Sequence, residues 1–107
     1  MTTIEDRRIA ANHDAPAGMA WATVTDEPIG GIPITLALQE DGEDIAVIGQ
    51  ATSDGTITSA DGTGTTITTY VEGDWVAFIV SARGNAYYNG SHPSAGAAMT
   101  DLNRRLT

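Results

Sequence analysis

The chain has 107 residues, a net charge of −9, no cysteine and no lysine, so its five basic residues are all arginine. The absence of cysteine excludes a disulfide framework and a thiolate metal site. The negative charge opposes contact with nucleic-acid phosphates and with anionic membranes. A chain of this length is typical of one domain with its own core. We therefore expect a single domain, residues 1–107, with neither nucleic acid nor membrane as a direct partner.

The N-terminal segment, residues 1–18, is predicted to be a helix followed by a loop. Thr3 is a suitable cap for a short helix over residues 2–12, and two acids lie in its first turn, where the helix dipole favours them. The start of the chain lacks the basic and then hydrophobic order of a secretion signal. The longest apolar stretch, residues 75–80, is too short to span a bilayer. The expected location is cytoplasmic.

Residues 19–64 are predicted to form an acidic antiparallel sheet, because short runs of apolar and β-branched residues alternate with turns rich in Gly, Asp and Glu. The predicted strands cover residues 19–25, 32–39, 45–50 and 56–59. Pro28 is expected to help end the first strand. In the second strand, apolar residues occupy alternate positions from Ile32 to Leu38, which predicts one buried face and one face toward solvent.

Residues 65–107 are predicted to form a neutral unit of three strands and a helix. The polar, Gly-containing turn 72–74 predicts a tight hairpin between strands 65–71 and 75–81, and a short third strand covers residues 86–88. Both faces of the second strand are apolar, which is typical of a strand covered on both sides. The N-terminal segment or a second copy of the chain is the expected cover, so a homodimer is a further expectation.

The closing helix is predicted to start at residues 91–94, where Ser, His and Pro are suited to a first turn. Its apolar stripe, at helical spacing, comprises Ala95, Ala98, Met99, Leu102 and Leu106. Asp101 and Arg105 are four residues apart, and the last turn carries cations where the helix dipole favours them. Together these elements predict an α+β fold, an antiparallel β-meander of about six or seven strands with a C-terminal helix packed on one face and a short N-terminal helix.

The negative charge is concentrated in the predicted acidic sheet. Residues 1–64 hold eleven acids and two arginines, whereas residues 65–107 hold three acids and three arginines. In a meander, alternate turns fall at the same end of the sheet. This placement predicts one cluster of Asp26, Glu27 and Asp54, and an opposite cluster of Glu40, Asp41, Glu43, Asp44 and Asp61. These eight acids are the predicted partner-binding residues.

Three interpretations fit these acids. Charge runs most often form only a solvated surface. A dense negative patch also suits docking to a basic protein surface, for example by imitating the phosphates of nucleic acid, because complementary charge raises association rate and specificity. Asp41, Glu43 and Asp44 offer hard oxygen ligands for calcium, but their spacing lacks the distant glutamate of an EF-hand.

The imidazoles give an alternative site. His13, Asp14 and His92 are the residues from which a hydrolytic, metal-binding or small-ligand site near Arg83 would be assembled. No nucleophile elbow, zinc-protease motif or cysteine accompanies them. We therefore expect no enzymatic activity, no metal and no cofactor.

Three aromatic residues, Trp75, Tyr87 and Tyr88, offer a surface on which bases would stack. Aromatic residues at strand spacing more often belong to the core. An exposed tyrosine beside Arg83 would instead indicate a binding surface, since Tyr and Arg are enriched in interface hot spots.

Residues 74–106 carry a family pattern. It consists of Asp74-Trp75-Val76-Ala77-Phe78-Ile79, then Asn85-Ala86-Tyr87-Tyr88-Asn89-Gly90-Ser91, then a helix with Ala97-Ala98. This order resembles the three strands and helix of the plant ethylene-response-factor DNA-binding domain and of integrase arm-binding domains. The resemblance implies a three-stranded sheet with a packing helix. Those families read DNA through strands rich in Arg and Lys, whereas Arg83 is the only Arg or Lys in the strand region before the helix here, so no contact residue is transferred.

Composition and charge distribution favour a small acidic, non-enzymatic binding protein. We expect it to inhibit or regulate a basic, nucleic-acid-handling protein through its acidic turns, by analogy with small acidic phage or mobile-element proteins that block host defence. The second interpretation is a structural or assembly component, such as a virion or scaffold protein. The third is a small-ligand binder or an enzyme that uses His13 or His92.

Overall fold

The structure is a computed structural model that describes residues 7–8, 13–60 and 64–106. The strands are β1 Met19–Ile29, β2 Ile32–Glu40, β3 Glu43–Gln50, β4 Gly55–Ala60, β5 Thr65–Tyr70, β6 Trp75–Val80 and β7 Ala86–His92, followed by helix α1, Ala95–Arg105. The predicted α+β class, with about seven antiparallel strands and a C-terminal helix, is confirmed. Arg7 and Arg8 are helical. The rest of the predicted N-terminal helix lies outside the described residues.

The strands form a sheet of five and a sheet of two. β1, β2, β3, β6 and β7 are hydrogen-bonded in that order, while β4 and β5 pair with each other as a separate hairpin. The predicted tight hairpin between residues 65–71 and 75–81 is therefore wrong. β6 is apolar on both faces, so it takes a central place between β3 and β7, with Val47 opposite Phe78. β5 instead pairs with β4, and Ile57 stands opposite Thr68.

The two faces of the larger sheet are covered by different elements. Helix α1 covers one face, where its predicted apolar stripe packs on residues such as Trp21 and Ala77. The other face carries Phe78 and is covered by Ile57 and Tyr70 of the β4–β5 hairpin. The chain's own hairpin thus supplies the cover that was expected from the N-terminal segment or a second copy. The apolar character of both faces of β6 therefore gives no reason to expect a homodimer.

A bulge in β2 changes which face its side chains meet. The register with β3 shifts between Ile34 and Leu36, which leaves Thr35 as an extra residue. Apolar residues before the bulge pack on the hairpin side, and those after it pack against α1. Ala37, on the hairpin side, is fully buried. The prediction that one face of this strand meets solvent is therefore wrong.

The five-stranded sheet is curled. β1 runs to Ile29, past Pro28, because an edge strand tolerates proline, and it contains two register shifts around Asp26. β1 and β7 are opposite edges of the sheet, yet Ile29 of β1 and Tyr88 of β7 pack in the same apolar cluster. Bulges bend strands and increase their twist. They wrap the β1–β2 ribbon over the hairpin side of the sheet.

β7 also extends further than predicted. Asn89 and Gly90 were expected to end it, but the register with β6 shifts at this point and the strand continues to His92. Gly90 has a φ of 126°, which suits glycine at such a bulge. The strands that accompany the helix on one sheet are β3, β6 and β7, so the three-strand unit implied by the family pattern has a different first strand.

Helix α1 is fixed at its start by a cap and at its side by a tryptophan. Ser94 is the N-cap, and its Oγ accepts a hydrogen bond from the backbone N–H of Ala97 at 3.1 Å. The Trp21 indole Nε1 donates to Asn103 Oδ1 at 2.9 Å. These bonds orient the helix across the sheet, with Asn103 on its β1 side.

Candidate functional site

The turn between β2 and β3 concentrates four carboxylates at the tip of one hairpin. Asp41 and Gly42 have φ angles of 53° and 81°, so the connection is a two-residue turn with both central residues left-handed. This turn places Glu40 directly opposite Glu43. Like charges opposite each other on an antiparallel pair are mutually destabilising. Asp44 follows on β3, where its Oδ1 accepts a hydrogen bond from Gln39 Nε2 at 2.9 Å.

A fifth carboxylate joins this group from β1. A hydrogen bond between the carboxyl groups of Asp26 and Asp44 raises the pKa of Asp26 from 3.8 to about 6, with smaller contributions from burial and from the charge of Asp44. Two carboxyls that share one site favour a protonated form of one of them. The β1–β2 register places Asp26 opposite Ile34, so strand pairing alone does not account for this contact with Asp44.

We name this group the acidic rim, and it comprises Asp26, Glu40, Asp41, Glu43 and Asp44. Asp44 is half-buried and the other four residues are exposed. The described ion pairs converge elsewhere, on Asp101 of α1, which binds Arg104 Nη2 at 2.6 Å and Arg105 Nε at 2.8 Å. The acidic rim is therefore a negatively charged surface that is separate from the ion pairs of Asp101.

The remaining predicted partner-binding residues lie apart from the rim. Glu27 is exposed on β1. Asp54 precedes β4, and its Oδ1 accepts a hydrogen bond from the backbone N–H of Glu72 at 2.8 Å, so it holds the turn between β5 and β6. Asp61 lies outside the described residues. The predicted grouping of Asp26 with Asp54 is wrong, because the curl carries Asp26 to the opposite group.

The calcium interpretation gains no support from the geometry. Across residues 7–8, 13–60 and 64–106, no set of three His, Asp or Glu side chains is arranged to hold a metal ion. Divalent calcium requires six or more oxygen ligands around one point. Four carboxylates of the rim line the tip of the β2–β3 hairpin and the fifth comes from β1, so their charges are spread over three strands.

Both imidazoles contact helix α1, and neither is close to Arg83 along the sheet. His13 Nε2 lies 3.4 Å from Thr100 Oγ1, and His92 Nε2 lies 3.7 Å from Asp101 Oδ2. His92 ends β7, whereas Arg83 is in the turn that precedes β7. Seven residues of extended strand separate these ends by roughly 20 Å. The structure therefore does not bring His92 and Arg83 together, and a site at His13 or His92 stays a prediction.

Asp101 has a more central structural position than its sequence spacing predicted. It is buried, with 9% of its surface exposed. Hydrogen bonds from Arg105, and then from Arg104, lower the pKa of Asp101 below 3.8 against the opposing effect of burial. The spacing to Arg105 predicted one surface ion pair. The position of Asp101 on the flank of α1, facing His92, makes it instead the centre of a small charged cluster.

The three aromatic residues do not form one face. Trp75 packs in the helix-side core and Tyr88 in the hairpin-side core. Tyr87 is 54% exposed. Since neighbouring residues on a strand point to opposite faces, Tyr87 and Tyr88 cannot stack on one flat ligand from the same side.

Among the described residues, no helix is both long and apolar enough to cross a bilayer. Comparison of the chain with protein families, with curated proteins and with solved structures finds no match.

Proposed function

We propose that this chain is a small non-enzymatic binding protein that docks a basic surface of a nucleic-acid-handling protein through the acidic rim, as an inhibitor or regulator of that protein. The observation that supports this most is the arrangement of the rim, where Glu40 stands directly opposite Glu43 and Asp44 follows on the same strand. The Asp26 carboxyl joins them through a hydrogen bond with Asp44, which is the main cause of its raised pKa of about 6. Like charges held this close oppose folding, and an opposing cation on a partner relieves that cost.

The rim has the features of a docking surface for arginine and lysine. Four of its five carboxylates are exposed and free of the constraints of a core. The two-residue turn at Asp41 and Gly42 fixes the backbone spacing of these residues, so little loop entropy is lost on binding. A preorganised negative edge also steers a basic partner toward it and disfavours nucleic acid itself.

The partner is expected to be a protein whose nucleic-acid site is its most basic surface. The purified protein, immobilised through its C terminus, should retain such a partner from the native host at about 0.15 M salt and release it as salt screens the contact. Duplex DNA or RNA added in solution should displace the retained protein, because it competes for the same basic surface.

A matched pair of variants tests the location of the contact. The rim triple variant is Glu40→Gln, Asp41→Asn and Glu43→Gln. The dispersed triple variant is Asp14→Asn, Asp54→Asn and Glu72→Gln, and the side-chain amide that Asp54→Asn introduces keeps an oxygen to accept the Glu72 backbone N–H. Both change the net charge by the same amount. Retention should fall for the rim triple variant and persist for the dispersed one. Equal retention by the two variants, or displacement by neither nucleic acid, would refute the proposal.

A further inference from the structure

A cleft lies on the hairpin side of the curled sheet. It has a volume of about 410 Å³ and opens where β4, β7 and the β1–β2 turn meet. Its walls include Ile29, Ile57, Thr58, Phe78, Ala86 and Tyr88. None of its described lining residues is charged, and none belongs to the acidic rim.

β4 and β7 are edge strands of their sheets in the described fold, and at their closest approach their Cα atoms lie within 8 Å of each other. Two strands that flank a third are roughly 9.5 Å apart. At this point there is therefore no room for a peptide strand paired with both edges. The volume of the cleft falls within the usual range of small-molecule sites, about 300–1,000 Å³.

The lining chemistry indicates an uncharged aromatic occupant. The rings of Phe78 and Tyr88 lie edge to face, with centroids 6.5 Å apart and an interplanar angle of 76°. An aromatic ring of a ligand makes a further favourable ring contact beside such a pair. The Tyr88 hydroxyl is already bonded to Ser91 Oγ at 3.0 Å, which fixes the ring in place. A charged ligand would lose its hydration here and find no opposite charge in return.

Polar groups at the mouth of the cleft favour a ligand that also carries a hydrogen-bonding group. The Thr58 side chain is exposed at the rim of the cleft and carries a hydroxyl. Edge strands also present main-chain N–H and C=O groups outward. An apolar body combined with a few polar groups is the usual composition of a small-molecule site.

We propose that this cleft binds a compact, uncharged aromatic molecule of roughly one to two fused rings that carries a hydrogen-bonding group. The proposal goes beyond docking through the acidic rim, and it does not depend on that function. The ligand lies in the open part of the cleft, contacts the partly exposed ring of Tyr88 and presents its polar edge to Thr58 and the strand edges.

The test is a titration of the full ¹⁵N-labelled chain with three uncharged probes, indole, benzamide and 2-naphthol, followed by two-dimensional NMR. At least one probe should give saturable shifts that are largest at the amides of Ile57, Ala86 and Tyr88. Benzoate, the anionic counterpart of benzamide, should bind about tenfold more weakly or not at all. Shifts that fail to saturate for all three probes would overturn the proposal, as would binding of benzoate as tight as that of the best uncharged probe.

A pair of matched substitutions locates the site. Ala86→Leu adds three carbons inside the cleft, and Ala82→Leu adds the same atoms in the exposed turn before β7. Ala86→Leu should weaken the best probe at least about tenfold, while Ala82→Leu should leave it unchanged. Thr58→Leu, at an exposed position on the mouth, gives a second blocking variant if Ala86→Leu disturbs folding. Unchanged binding by a folded blocking variant would contradict the assignment.

Discussion

At the scale of single residues, the Asp26 and Asp44 pair makes the most specific prediction. Asp44→Asn removes the neighbouring charge and proton-sharing partner, so the pKa of Asp26 should fall from about 6 toward 3.8. Carboxyl ¹³C NMR over pH 3 to 8 measures this directly. Asp41→Asn is the matched control. It removes one charge at the same turn, Asn tolerates the left-handed backbone there, and Asp26 should still titrate near 6.

The same pair sets the sign of a pH effect on stability. The folded-state pKa of Asp26, about 6, lies above the ordinary value of 3.8, so the folded state binds more protons between these pH values. The free energy of unfolding should therefore decrease as pH rises through that window. Because Asp26 is exposed, solvent screening limits the effect to about 1 kcal/mol or less. Urea unfolding of Asp44→Asn should lack this slope, and an identical slope in both proteins would exclude the pair as its cause.

Asp101, which is buried, should change the free energy of unfolding with pH in the opposite direction. Its pKa is lowered mainly by Arg105, so its contribution is complete at neutral pH and is lost as pH falls from 3.8 through the lowered folded value. Asp101→Asn should reduce the free energy of unfolding at pH 7 by about 1–3 kcal/mol. The deficit should narrow as the pH falls below 3.8. Asp14→Asn, at an exposed position, should leave stability unchanged, and an equal loss in both variants would contradict the role given to Asp101.

At the scale of elements, local sequence patterns predicted the positions of the strands better than they predicted which strands pair with each other. The alternation in β6 correctly separated Trp75, Ala77 and Ile79 from Val76, Phe78 and Val80. The turn at residues 72–74 looked like a hairpin turn, but β5 pairs with β4. The choice depends on which sheet can bury both faces of β6, and that is a property of long-range packing that short patterns do not contain.

The β-bulges account for the wrong prediction of which side chains of β2 share one face. A single extra residue at Thr35 moves Ile32 and Ile34 to the face opposite Leu36 and Leu38, although the four alternate in the sequence. Two further register shifts lie around Asp26 in β1, and the Asp26 carboxyl contacts Asp44 of the other predicted cluster. A bulge has no sequence signal here, since Thr35 is an ordinary strand residue. The tip of the acidic rim was therefore predictable from the sequence, and its fifth carboxylate was not.

The helix cap is a further prediction at this scale. Ser94→Ala removes the oxygen that accepts the Ala97 N–H, and should lower the free energy of unfolding by about 1 kcal/mol. Ser94→Asp keeps an acceptor at the same position and should retain most of the stability. Thermal unfolding measures both. Equal losses in the two variants would show that the cap contributes nothing and that the serine matters for another reason.

At the scale of the whole molecule, charge repulsion links the rim to stability. The net charge is −9, and its self-repulsion opposes the compact state. Raising NaCl from about 0.02 M to 0.5 M should screen this repulsion and raise the melting temperature by a few degrees. The rim triple variant should respond less to salt than the dispersed triple variant. If the two respond alike, the repulsion is spread over the surface and the rim has no special share of it.

The measurement that tests the acidic rim most directly is the calorimetric affinity of the retained basic protein for three forms of this chain at about 0.15 M salt. The forms are the natural chain, the rim triple variant and the dispersed triple variant. The rim triple variant should bind at least about tenfold more weakly, and the dispersed triple variant should bind as the natural chain does. Equal affinities for the two triple variants would show that contact does not occur at the acidic rim.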